Sequence, residues 1–388
     1  MIPAVRDRPL RGGPSLGPPG GTRSRPDLKA LRPMPRPGQV SHRSPLPFAL
    51  AALGFALSIM GCTGSQGTAG AAGGSASGKG SSPVTLLNVS YDPTRELWRD
   101  LNGEFTKSYG QPIDIKQSHG SSGGQARAVV DGLEADVVTL ALWSDTNAIH
   151  KKGLIKEGWE DKFPNRSLPY TSTIVFVVRK GNPSGIKDWP DLAKAGIEVI
   201  TPSPKTSGNG KLALLAAWGS VVTRGGTEDQ AREYLKKLYQ NVPVLDTGAR
   251  GATTTFANKG IGDVHLTWEN EAHLEVADSK GELELIYPPV SILAEPHVAI
   301  VDTNVDRKGT REAAESYLKF LYTDEGQAVI AKHFYRPSNE AVLEANRARF
   351  PVLDLFPVTK VAKDWNEASE KFFAEGGVFD AIYQAPGS

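Results

Sequence analysis

From residue 84 onward, short apolar runs alternate with apolar residues at helical spacing. Val84-Thr85-Leu86-Leu87-Asn88-Val89 predicts a buried strand. Leu97, Trp98, Leu101 and Phe105 then keep helical spacing, with Asp92 at a candidate N-cap and Pro93 at the first helical position. Residues 113–118 alternate as a strand, and Ala126, Val129, Val130 and Leu133 suggest a helix after it. Residues 135–140 predict a third strand and 170–178 a long β-branched one. A short helix is expected at 186–192, a strand at 197–200, an apolar helix from Leu212 to beyond Trp218, and a charged amphipathic helix at 228–239. Further strands are expected at 242–245, 264–268, 283–287 and 297–301, and helices around 310–334, 339–347 and 360–374. Such alternation indicates α/β domains with mainly parallel sheets, and 388 residues favour two of them.

The first 83 residues follow another pattern. Residues 1–47 are crowded with Pro, Gly and Arg, and 48–60 form an uncharged apolar run too short to span a bilayer comfortably, placed where the core of an export signal would sit. Met34 offers a shorter start that leaves Arg36 and Arg43 as the positive charges before that run. The run ends in Ile59-Met60-Gly61-Cys62, which resembles the lipobox of bacterial lipoproteins, where a small residue precedes a cysteine that is acylated. Cys62 is the only cysteine, so it forms no internal disulfide; a lone structural thiol is the plainer alternative. Residues 63–82 are almost all Gly, Ser, Ala and Thr, the composition of a flexible tether. The expectation is an exported, periplasmic body tethered to the membrane through a lipid on Cys62, with 1–61 as extension and signal and 62–83 as tether.

Charge sharpens that division. Residues 1–61 carry nine Lys/Arg and two Asp/Glu, leaving the remainder with 35 basic and 41 acidic residues, a net of −6. A mildly acidic body is a poor partner for nucleic acid.

Candidate chemistry gathers where strands end. At Asp92, 118–124, 206–210 and 247–251 an apolar strand stops, a short polar loop follows, and a helix begins. Gly lets a backbone N–H approach a ligand without a Cβ in the way, Ser adds a hydroxyl donor, and a helix N-terminus leaves N–H groups unused. In open α/β sheets ligands bind beyond the carboxyl ends of strands, so four such loops point to one anion. The loop Ser203-Pro204-Lys205-Thr206-Ser207-Gly208-Asn209-Gly210-Lys211 fails the Walker pattern twice, with Lys205 where Gly is required and Leu212 where Ser or Thr is required. There is no G-x-S-x-G elbow, H-E-x-x-H or C-x-x-C, so no catalytic residue, metal or cofactor is expected.

Several runs carry a wider resemblance: Leu86-Leu87-Asn88-Val89-Ser90-Tyr91-Asp92-Pro93-Thr94-Arg95-Glu96, Gln117-Ser118-His119-Gly120, Pro169-Tyr170-Thr171-Ser172-Thr173, Leu245-Asp246-Thr247-Gly248-Ala249-Arg250-Gly251 and Ile292-Leu293-Ala294-Glu295-Pro296. Over roughly 84–384 the chain resembles the bacterial sulfate/thiosulfate-binding proteins of ABC importers. That resemblance implies the two-lobed periplasmic binding fold of type II, α/β, with a mixed, mainly parallel sheet in each lobe and the ligand cleft between them. It implies lobe 1 over 84–170 and 270–350, lobe 2 over 171–269, and a C-terminal segment, 351–388, bracing both. Crossings near 171–174 and 268–271 would form the hinge. Carried over, backbone N–H donors fall at Asp92, Ser122, Gly208, Asn209 and Ala249, completed by the Ser207 hydroxyl and the Trp268 indole N–H. Asp92 would turn its side chain to cap its helix. Asn209 stands where the family usually has Gly, and Ser121 stands where it has Gly before the matched Ser. The implied ligand is sulfate or thiosulfate, handed by a monomer to permease subunits in the inner membrane.

Plainer readings stand beside these. Trp268 by its position alone is a core aromatic first. His119 and Arg250 are expected behind the ligand shell, with direct pairing of Arg250 to the anion as the alternative, and Lys205 and Lys211 as solvated or supporting charges. Molybdate or another tetrahedral oxyanion is the alternative ligand; a surface sulfuryl or phosphoryl transferase is the alternative from another class.

Overall fold

A computed structural model describes residues 83–383; the predicted apolar leader, Cys62 and nearly all of the tether lie outside the described residues. Among the described residues no helix is long and apolar enough to cross a membrane.

The chain opens with β1 (Val84–Tyr91), β2 (Ile113–Gly120) and β3 (Val137–Thr139). The two-residue β4 (Tyr170–Thr171) leads to β5 (Ile174–Arg179), then β6 (Val199–Pro202), β7 (Leu245–Asp246) and β8 (Val264–Trp268). Next come β9 (Leu283–Ile286), β10 (Val290–Ile292), β11 (Val298–Ile300), β12 (Arg336–Pro337) and β13 (Asp354–Phe356). Two larger sheets result, β11-β3-β1-β2 and β7-β6-β8-β5-β9. In the first, β1 runs parallel to β2 and β3, and β11 antiparallel to β3. The second is half antiparallel, because β5 opposes both β8 and β9. It is therefore less parallel than the alternation of strands and helices suggested.

Helices cover the sheets by the usual logic of apolar stripes. Arg95–Ser108 buries Leu97, Trp98, Leu101 and Phe105, the four residues whose spacing predicted it. The helix Gly208–Val222 is apolar on nearly every side and accordingly buried on nearly every side, with Leu212, Leu215 and Trp218 fully inside. Its first turn is capped by Ser207, whose Oγ accepts from the Gly210 N–H.

Four expectations change. The strand expected at 170–178 breaks at Ser172 and Thr173: β4 pairs with β12, whereas β5 joins the second sheet. The second crossing lies after Ile292 and not at 268–271, because the helix Glu269–Asp278 follows β8 and β9 extends the free edge of β5. The Ser172↔Ala294 bridge ties the two crossings together. The expected helix at 310–334 is two, Arg311–Phe320 and Asp324–Lys332, the second capped by Thr323. The C-terminal helix at 360–374 is reduced to Trp365–Ala368 and a π-helical turn, Ser369–Phe373. Phe356, Val358, Trp365 and Phe372 there pack into the same core as Trp218 and Trp268, while Lys151 Nζ reaches Asn366 at 2.9 Å.

Candidate functional site

β1, β2, β6 and β7 each end in a loop that starts a helix, at Asp92, Ser122, Gly208 and Ala249 respectively, and β8 ends on Trp268. The caps Ser121, Ser207 and Gly248 all have extended backbone, so the N–H groups of the residues after them point away from their own helices. These ends come together around a small, tight cavity of about 10 Å³. Asp92, Ser122, Ser207, Gly208, Asn209, Ala249 and Trp268 all line it, whereas His119 and Arg250 do not.

Trp268 is fully buried and its indole N–H has no hydrogen-bond partner among the described residues. Its ring rests on that of Tyr91, with centroids 5.2 Å apart. A buried donor without an acceptor is costly, and here it belongs to the cavity wall. Ser207 is 2% exposed; its Oγ accepts from Gly210 at 3.4 Å, which leaves the hydroxyl proton to donate elsewhere. Gly208 brings the two halves together: a Cβ there would stand 2.5 Å from the Cβ of Ala141 and 3.3 Å from that of Ser122.

Asn209 is the second residue of its helix and is not among the residues of positive φ, so the turn does not require glycine there. Its Nδ2 donates to the Leu266 carbonyl at 2.9 Å, anchoring the helix start to β8. Asp92 does not cap its helix. The cap is Tyr91, Asp92 is the first residue of the 3₁₀ turn Asp92–Thr94, and its carboxylate pairs with Arg95 at 2.6 Å, three residues on. That turn is held by the Pro93 carbonyl, which accepts from Tyr335 Oη at 2.9 Å and Asn270 Nδ2 at 3.1 Å.

The nearby cations are already paired. Lys211 meets Asp145 at 3.1 Å, and Lys205 meets Asp380 at 2.6 Å and the carbonyls of Phe373 and Ala374. Arg250 meets Glu96 and Glu271, each at 3.1 Å. Burial acts against the Arg250 charge, yet those carboxylates hold its pKa above the ordinary arginine value. Glu271 is pushed up to about 8 by burial, against the pull of Arg250. Burial and Arg95 press His119 down to about 4, so its imidazole is neutral.

One wall escaped the sequence reading. β3 also ends in a strand-to-helix loop, and Ala141 from it lines the cavity ahead of the helix Trp143–His150. Leu140, Ala141 and Leu142 carry no Gly or Ser, so only the format, and not the composition, marked the place. Tyr91 also lines the cavity, at the end of a strand that runs two residues past the expected 84–89; its position directly before Asp92 was the available signal.

The chain is similar to known proteins. A model of the bacterial extracellular solute-binding proteins matches residues 86–336. The chain belongs to that family. Within it, the chain is 49% identical over 305 residues to the sulfate-binding protein of Escherichia coli K12, spanning 77% of this chain and 93% of that one. It is 48% identical over 319 residues to the thiosulfate-binding protein of Pseudomonas aeruginosa, spanning 81% and 96%. Among solved structures, the sulfate-binding protein SubI from Mycobacterium tuberculosis H37Rv superimposes with a TM-score of 0.69 at 30% identity, over 75% of this chain and 99% of that one. The two sheets and the cleft between them are the two-lobed periplasmic binding fold.

Proposed function

We propose that the chain is an extracytoplasmic solute-binding protein that captures sulfate in this cavity and delivers it to an ABC importer. The observation that carries the reading is the buried, partnerless indole N–H of Trp268 in a wall of donors. Sulfate is fully ionised at neutral pH and only accepts hydrogen bonds, so it suits a site made of N–H and O–H groups. The donors are the backbone N–H groups of Asp92, Ser122, Gly208, Asn209 and Ala249, the Ser207 hydroxyl and the Trp268 indole. At roughly 1.5–3 kcal/mol for each bond to a charged group, seven supply on the order of 10–20 kcal/mol gross, much of it offset by stripping water from the dianion. The helices Ser122–Val130 and Gly208–Val222 add the positive ends of their dipoles. His119 and Arg250 act from behind, and Arg250, tied to Glu96 and Glu271, steadies the loop that carries Ala249.

Hydrogen phosphate brings a proton that needs an acceptor. The one carboxylate in the wall, Asp92, has one oxygen tied to Arg95, so a phosphate proton would have to be accepted by the other. Lobe 1 comprises 84–171 and 293–350, lobe 2 comprises 174–292, and the C-terminal segment braces them; closure buries the anion, and the closed form is what the permease recognises. The monomer is exported to the periplasmic side and anchored by a lipid on Cys62. Titration of the protein with sulfate, thiosulfate, molybdate and phosphate, followed by Trp fluorescence, tests the site. Sulfate should bind at least about 100-fold more tightly than phosphate at neutral pH, a difference of about 2.7 kcal/mol. Equal affinity for the two would overturn the donor-only reading. Tighter binding of thiosulfate or molybdate would keep the site and change its cargo.

A further inference from the structure

A second cavity, of about 420 Å³, opens on the flank of the crossing between β10 and β11. One wall is Trp143, the first residue of its helix; another is Trp365, on the short C-terminal helix. Glu295 and His297 enter from the crossing itself. The run Ile292 to Pro296 carries part of the family resemblance, yet none of it lines the anion cavity.

The polar groups here differ in kind from the donors around Trp268. His297 is 3% exposed, packs edge-on against Trp159 with centroids 5.5 Å apart, and has no side-chain hydrogen-bond partner on either ring nitrogen, with the Glu295 backbone as a polar neighbour. Burial keeps its pKa down at about 4, so the ring is neutral and one nitrogen is a free acceptor. Glu160 is paired with Arg166 at 2.8 Å, and Asp364 caps the helix Trp365–Ala368. Glu295 forms no ion pair among the described residues; burial raises its pKa, against the pull of Arg166, which also lines the cavity. The backbone beside the cavity runs through three successive left-handed residues that are not glycine: Asn165, Arg166 and Ser167, at φ of 51°, 55° and 58°. Such strain persists where the surroundings over-determine it, and it tends to gather at binding sites.

Two indoles, a carboxylate outside any ion pair and a buried acceptor nitrogen are components that recognise an organic cation, and the cavity's one resident cation, Arg166, is tied to Glu160. We propose that this cavity binds a small guanidinium or alkylammonium ion against the faces of Trp143 and Trp365, its N–H groups donating to the Glu295 carboxylate and to a ring nitrogen of His297. The site is independent of the anion cavity and does not rest on the sulfate reading.

Calorimetric titration of the full chain with propylguanidinium tests it, with propylurea as the uncharged counterpart of similar shape. One saturable site is expected for propylguanidinium, with propylurea at least about tenfold weaker. Glu295→Gln should weaken propylguanidinium at least about tenfold, while Ser207→Ala leaves it unchanged. Should Glu295→Gln fail to fold, His297→Phe removes the acceptor and keeps the contact with Trp159; a loss of about threefold or more is then expected. Equal affinity for the urea, full affinity in the variant measured, or no saturable heat up to about 20 mM propylguanidinium overturns the proposal.

Discussion

Two cavities of this molecule, at Trp268 and at His297, each contain a buried ring with an unused polar atom, and they call for opposite ligands. Around Trp268 the wall is built from strand ends and helix starts with a partnerless indole N–H, and the nearby cations Lys205, Lys211 and Arg250 are already paired with carboxylates. Around His297 the free atoms are an imidazole acceptor and an unpaired carboxylate between indoles. The sign of the missing partner follows from donor or acceptor character and not from net charge. A body with a net of −6 can therefore hold a dianion in one place and, by the proposal above, a cation in another.

The strongest way to break the comparison is to block the first cavity sterically. Gly208→Val should weaken sulfate at least about 100-fold, because even a Cβ would stand 2.5 Å from that of Ala141; unchanged affinity would place the anion elsewhere. Trp268→Phe and Ser207→Ala each remove one donor and should cost roughly 1.5–3 kcal/mol of sulfate binding, read as a shift in the fluorescence titration. Loss of neither would show that the orphaned indole is not a ligand.

The second cavity predicts a pH effect on stability. His297 has its folded pKa lowered to about 4 from an ordinary 6.5. Between those values the unfolded chain binds a proton that the folded chain refuses, so stability rises with pH and is lost as pH falls from 6.5 towards 4. Unfolding free energies from urea titration at pH 7 and pH 5 should diverge by about 1–2 kcal/mol more for the parent chain than for His297→Phe. Matching slopes would mean that the imidazole is not held neutral by burial. The smallest effect is expected from Lys205→Met, with sulfate affinity kept within about threefold, since Asp380 and two carbonyls already occupy that charge. A tenfold loss would return the site to direct lysine charge.

Much of this was visible in the chain itself. Strands 84–89 and 113–118, the helix marked by Leu97, Trp98, Leu101 and Phe105, and the four polar loop starts needed only local spacing. The break at Ser172–Thr173 was not visible, because β-branched residues run through it and only the pairing of β4 with β12, over 160 residues away in sequence, reveals it. The return after Ile292 was hidden for the same reason: β9 shows its sheet only by pairing with β5. The Ala141 wall escaped because its loop lacks the Gly and Ser that marked its companions.

By itself the sequence determined which backbone donors would be left unused: where an apolar run stops and a helix starts, the first N–H groups have no internal acceptor whatever the rest of the fold does. It also placed Trp268 at a strand end and gave the body its mild negative charge. Only the tertiary structure decided that these ends meet and that Asn209 turns its amide to Leu266 instead of into the cavity. Those outcomes depend on strand pairing and side-chain contacts between segments far apart in the chain, and no local spacing encodes such distances.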